Sequence, residues 1–215
     1  MRRLPVLIAI AIVSFGIGVG STILISRRHA PNAQITISQG CVPSDCAPSY
    51  DANLVEQRIK ENDDPQFFAA FQELPLYAMP ACVEEAYSLE WIPSFNGPVI
   101  VRVWSSQNHY FMVAKVLDSK GWSKFGKLAV TNARELTPFE WRSFTDLLMW
   151  NSFWTTPSTV NETSPNDGAV WLLNGFRRNE YHWVRRRVPD DRISGPSEYL
   201  IRLSGIATAY ELYTH

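Results

Sequence analysis

Val99-Ile100-Val101-Arg102-Val103-Trp104, then Ser105-Ser106-Gln107-Asn108, then Tyr110-Phe111-Met112-Val113-Ala114-Lys115-Val116-Leu117, is the stretch that decides the fold. Two arms rich in β-branched and aromatic residues flank a short polar break, which is the pattern of a strand, a turn and a returning strand. Upstream, Gly97-Pro98 punctuates the chain, and Glu84 to Trp91 reads as extended, with Tyr87, Leu89 and Trp91 on one face. Downstream, a further strand is expected over Gly126 to Thr131.

The pattern then changes period. Thr137-Pro138-Phe139-Glu140 places a capping Thr before a first-turn Pro, with Glu at the third helical position, so a helix starts there. Trp141, Phe144, Leu147 and Leu148 share its apolar face. Asn151 to Pro165 reads as a loop, and Ala169 to Asn174 with Glu180 to Val188 as a hairpin. Ser197 to Leu212 reads as a closing amphipathic helix. Before the first strand, Leu54, Val55 and Ile59 sit at helical spacing, and a second short helical stretch runs from Asp64-Pro65 to Phe71, stopped by Pro75. Strands interrupted by helices in this order predict an α+β domain with a mostly antiparallel sheet and packed helices.

Further out lies a different kind of segment. Leu4 to Ile25 (LPVLIAIAIVSFGIGVGSTILI) carries no charge, with Arg2 and Arg3 on one side and Arg27 and Arg28 on the other. A helix of that length rises roughly 33 Å, enough to cross a hydrocarbon core of about 30 Å. Gly18-Val19-Gly20 offers a small-x-small cleavage site, but the apolar run continues past it, which suits a signal-anchor better. The expected organisation is therefore a transmembrane anchor over 1–28, a linker rich in Pro, Ser, Asn and Gln over 29–50, and one domain over 51–215. The slight excess of positive charge at the N-terminal end, the α-amine included, places that end in the cytoplasm and the domain on the periplasmic side.

Residues 1–28 hold four of the 20 basic residues and none of the 21 acids, so the remainder carries 16 basic against 21 acidic groups, a net −5. That balance argues against a nucleic-acid partner. Cys41 and Cys46 lie in GCVPSDCAP, with Cys82 further on. A disulfide joining Cys46 to Cys41 or to Cys82 is expected on an oxidising side of the membrane, with one cysteine left over.

Leu136-Thr137-x-x-Glu140-Trp141, Phe153-Trp154-x-x-Pro157, Asp167-Gly168-x-x-Trp171-x-Leu173-x-Gly175, Tyr181-His182-x-Val184-x-Arg186 and Leu200-x-x-Leu203-Ser204-Gly205 together make up a recognisable pattern. With Tyr87, Trp91 and Phe95, over roughly residues 85–205, the chain resembles an uncharacterised family of bacterial proteins with no established activity. The resemblance implies a bacterial setting and no particular chemistry. Similar proteins often carry Glu where this chain has Asn174, which removes a carboxylate role at that position.

Among single residues, His182 carries the most chemical interest. In an extended segment, His182, Val184 and Arg186 project to one face, and Tyr181, Trp183, Arg185 and Arg187 to the other. His182 and Arg186 can face an anion, with Asp167 or Glu85 orienting the imidazole. A His beside Val on a sheet is more often a hydrogen-bonded structural residue, and Asp167-Gly168 is more often a turn. Arg185 to Arg187 read first as a solvated edge. Arg186 and Trp171 are the candidate ligand-binding residues. Hydrolase, phosphate-loop, zinc-protease and dinucleotide signatures are absent, and His29, His109, His182 and His215 lack metal spacing, so no metal or cofactor is expected. The function expected from the sequence is a membrane-anchored extracytoplasmic interaction domain, immunity-like or cell-envelope binding. The alternative is a hydrolase or transferase using His182 with a nearby carboxylate.

Overall fold

The computed structural model describes residues 65–78, 83–119, 126–160, 169–178, 180–187 and 190–206. Within them lies one six-stranded antiparallel sheet: β1 (Glu85–Pro93), β2 (Val99–Ser106), β3 (His109–Leu117), β4 (Leu128–Leu136), β5 (Ala169–Arg177) and β6 (Glu180–Arg186). Their spatial order is β4-β3-β2-β1-β5-β6. An α+β architecture built on an antiparallel sheet is therefore what the strand pattern describes.

The β2–β3 hairpin turns on only two residues. Gln107 and Asn108 both have positive φ, the backbone that a two-residue turn between right-twisted strands requires. Consequently the strands run to Ser106 and from His109, and the turn is shorter than the Ser105–Asn108 break expected from composition. β4 is also longer than expected. It pairs with β3 as far as Tyr110↔Leu136, so ladder bonding carries the extended backbone up to the cap of the next helix.

That helix, α2 (Pro138–Trp150), begins with both halves of a capping box. Glu140 N donates to Thr137 Oγ1 at 3.2 Å, and Thr137 N donates to the Glu140 carboxylate at 2.8 Å. Arg134 forks onto the same carboxylate at 2.7 and 3.1 Å, and this hydrogen bonding holds Glu140 down to about 2. Trp141, Phe144 and Leu148 are buried against the sheet, joined by Ile193, Leu200 and Ile201 of α3 (Asp191–Ser204).

α3 corrects the expected helix over Ser197–Leu212. It starts six residues earlier, where the Asp190 side chain accepts from Arg192 N. Pro196, the sixth residue of the helix, gives up the bond its N–H would make to Arg192 O, and the helix continues through it. The helix stops at Ser204 because Gly205 takes a left-handed conformation, φ +69°.

The opposite face of the sheet is covered by α1 (Pro65–Phe71) and a 3-10 turn (Leu76–Ala78). Phe67, Phe68 and Phe71 pack on Ile92, Ile100, Leu117 and Val170, while Leu76 packs with Val83, Ala86, Trp104 and Val113. Among the described residues no helix is long and apolar enough to cross a membrane. The apolar run over 4–25, the expected helix over 51–60, Asp167 and the three cysteines Cys41, Cys46 and Cys82 lie outside the described residues.

Candidate functional site

Strand register gathers most of the chemically interesting residues at one end of β1, β5 and β6. Glu85 opposes Arg177, which opposes Glu180; one row further in, Tyr87 opposes Gly175, which opposes His182. Over these rows sits a 3-10 turn, Phe153–Thr155, that follows α2 directly. Gly175 makes this possible. A Cβ there would lie 2.7 Å from a Phe153 ring carbon and 3.0 Å from Tyr87, so only glycine lets the turn close onto the sheet.

The rings then lock together. Phe153 is fully buried and meets Tyr87, Trp154 and His182 at centroid distances of 6.3, 5.3 and 5.1 Å, all edge-on. The Arg177 guanidinium lies 4.0 Å from the centroid of the Trp154 ring, a cation–π contact. Tyr87 donates its phenolic proton to Glu85. Burial, reinforced by the adjacent Glu85 carboxylate, pushes the Tyr87 hydroxyl far above the ordinary phenol range, so it stays protonated.

His182 faces the turn. Its Nε2 donates to the Thr156 carbonyl at 3.0 Å, which fixes the tautomer with the proton on that nitrogen. Burial lowers its pKa; hydrogen bonds to the backbone of Thr156 and Phe153 oppose the shift without reversing it. The imidazole is therefore neutral near pH 7 and tethers the turn. Glu85, one candidate for orienting it, belongs to the neighbouring row and is engaged by Tyr87 instead.

Arg186 corrects the reading of Arg185–Arg187 as a solvated edge. It is only 2% exposed. Its guanidinium donates to Asp190 at 2.9 Å, to Arg185 O at 2.8 Å, to Pro157 O at 3.0 Å and to Ser158 O at 3.4 Å. Together with Arg185 N donating to Ser158 O at 2.8 Å, it staples the segment after the turn to β6 and to the cap of α3. Trp171 is buried in the core beside Trp91, 5.7 Å between centroids. Among the described residues, no three metal-ligating side chains come together.

A second polar cluster escaped sequence reasoning. On the α1 side of the sheet, Glu73 sits between Arg102 (2.8 Å) and Lys115 (2.6 Å), and all three side chains are buried. The Lys115 contact is close but not aligned as a hydrogen bond to that oxygen. Lys115 instead donates to the Phe71 and Gln72 carbonyls at 2.9 and 3.1 Å, and Arg102 donates to Leu74 O. Beside them Asn174 donates to Glu90 at 2.9 Å and to Ser88 at 3.3 Å, while Tyr181 donates to Asn174 at 2.7 Å. The available signal was a charged residue in mid-strand on each of β1, β2 and β3; the partner, Glu73, lies too far off in sequence to be inferred.

In both clusters the charged groups bind this chain's own backbone and side chains. Among the described residues, large apolar groups turn outward singly at Leu74, Phe95, Val130 and Val160, and three more share α2: Phe139 (78% exposed), Met149 (65%) and Trp150 (72%). Compared with known proteins, the chain matches no family model, no curated protein and no solved structure.

Proposed function

We propose that this chain is a single-pass membrane protein whose folded domain works as an extracytoplasmic interaction module, with the exposed face of α2 as its contact surface. The observation that carries the reading is the outward placement of Phe139, Met149 and Trp150 on one helix, beside a candidate site whose reactive groups are all committed internally. Large exposed side chains of this kind on one helix face, Met149 and Trp150 at its end and Phe139 at its start, are the residue types on which interaction surfaces anchor. The uncharged run over residues 4–25 supports the anchor, and the flanking arginines support a periplasmic domain with Cys46 in a disulfide. The family resemblance supports a bacterial setting.

A photo-activatable phenylalanine analogue placed at Met149 of the full-length chain, in its own membrane, tests the reading. A discrete protein adduct is expected, and it should disappear when Phe139 and Trp150 are both changed to Ser. Failure to form any protein adduct overturns the proposal.

A further inference from the structure

On an α-helix of 3.6 residues per turn, the outward face of α2 carries Phe139, Arg142, Ser143, Asp146, Met149 and Trp150 in that order. Trp141, Phe144 and Leu148 occupy the opposite, buried face. Read along its length, the outer stripe runs apolar, positive, negative, apolar. Among the described residues neither Arg142 nor Asp146 makes an ion pair.

A stripe of this order is complementary to its own antiparallel copy. With a two-fold axis at the level of residue 144, Arg142 lies opposite Asp146 of the second copy and Asp146 opposite its Arg142. Phe139 meets Met149 and Trp150, and the same contact repeats at the other end. Asp146 lies on the centre line of the stripe and Arg142 about 40° to one side, and a two-fold axis perpendicular to both helices leaves each charge on its own side of the contact. We propose that α2 is a homodimerisation face and that the module's partner is a second copy of this chain. This rests on the interaction-module reading and names its partner.

The size of the contact says how the dimer works. A stable interface buries about 800 Å² per partner, and one pair of helix faces supplies less. The contact is therefore weak between free domains and is strengthened when the anchors confine both copies to one membrane, which raises their effective concentration. Self-complementary charges fix the antiparallel register and reject the parallel one, in which like residues would meet.

Sedimentation equilibrium of the full-length chain in mild detergent tests this directly. The wild type is expected to dimerise with increasing protein per micelle. Arg142→Asp places like charges at both symmetric contacts and should weaken dimerisation by on the order of tenfold or more, as should Asp146→Arg. The double variant should dimerise as wild type, and so should an equimolar mixture of the two single variants. Unchanged thermal melts will show that these outer-face substitutions leave the fold intact. A wild type that stays monomeric at every loading, a charge reversal without effect, or a mixture that does not recover would each overturn the proposal. A Met149 adduct containing a different protein would overturn self-association while leaving the interaction reading standing. No protein adduct at all would overturn both.

Discussion

Towards α2 and α3 the middles of β1, β2 and β3 present Tyr87, Leu89, Trp91, Val101, Val103 and Met112, all of them buried in the larger core. Towards α1 the same strands present Ser88, Glu90, Arg102 and Lys115 among their apolar residues. The two coverings differ in the same sense. α2 and α3 are 13 and 14 residues long and bury whole apolar faces, whereas α1 has seven residues, too few to be a stable helix alone. Its last carbonyls are instead gripped by Lys115, with Arg102 and Glu73 completing the hold. A long amphipathic element is placed by area, and a short one needs a few directional contacts to choose a single position.

Breaking each face in turn sharpens the contrast. On the helix side, Phe144→Ala removes a fully buried ring between the sheet and α3 and should cost about 3–5 kcal/mol in denaturant unfolding. On the α1 side, Glu73→Ala strands two buried cations and should cost about 3 kcal/mol. Replacing Glu73, Arg102 and Lys115 by Leu, Met and Met, with the buried Glu90 changed to Gln, should recover most of that loss, since no charge is then left buried on this face. If this quadruple variant is as unstable as Glu73→Ala, the cluster contributes net stability and the two faces do not differ in this way.

The smallest effect is expected at the turn over β5 and β6. His182→Gln should cost about 1 kcal/mol, by weakening one buried hydrogen bond. It should also change the pH response. The folded-state pKa of His182 lies below its ordinary value of 6.5, so the unfolded chain takes up the proton first. The stability tied to the neutral ring is complete above pH 6.5 and declines as pH falls from there towards the folded value. Unfolding midpoints measured across that window should slope for the wild type and lose that slope in the variant.

Local signals were legible in the sequence and distant ones were not. Thr137 and Glu140 form their box within four residues, and the β2–β3 hairpin closes on Gln107 and Asn108, so both can be read from neighbours. The alternation along β6 likewise placed His182, Val184 and Arg186 on one face. What that face meets was not legible, because Thr156, Pro157 and Ser158 are brought there by a turn that only Gly175 admits. The grip on α1 was hidden for the same reason, since Glu73 pairs with residues 29 positions and more away.

The strand order bears on how quickly the molecule can assemble. Every adjacent pair in β4-β3-β2-β1 and in β5-β6 joins consecutive strands, so each forms by closing a short connection. The seam between β1 and β5 is different: Pro93 must find Ala169, and Glu85 must find Arg177, across all of β2, β3, β4 and α2. Two locally assembled pieces, a four-stranded meander and a hairpin, therefore wait on one docking event. Until it happens, the inner edge of β1 stands open, with its row of amides and carbonyls free to pair with any extended chain nearby. A newly made molecule is at its most aggregation-prone in that interval, and the time needed to bring β5 home sets how long the interval lasts.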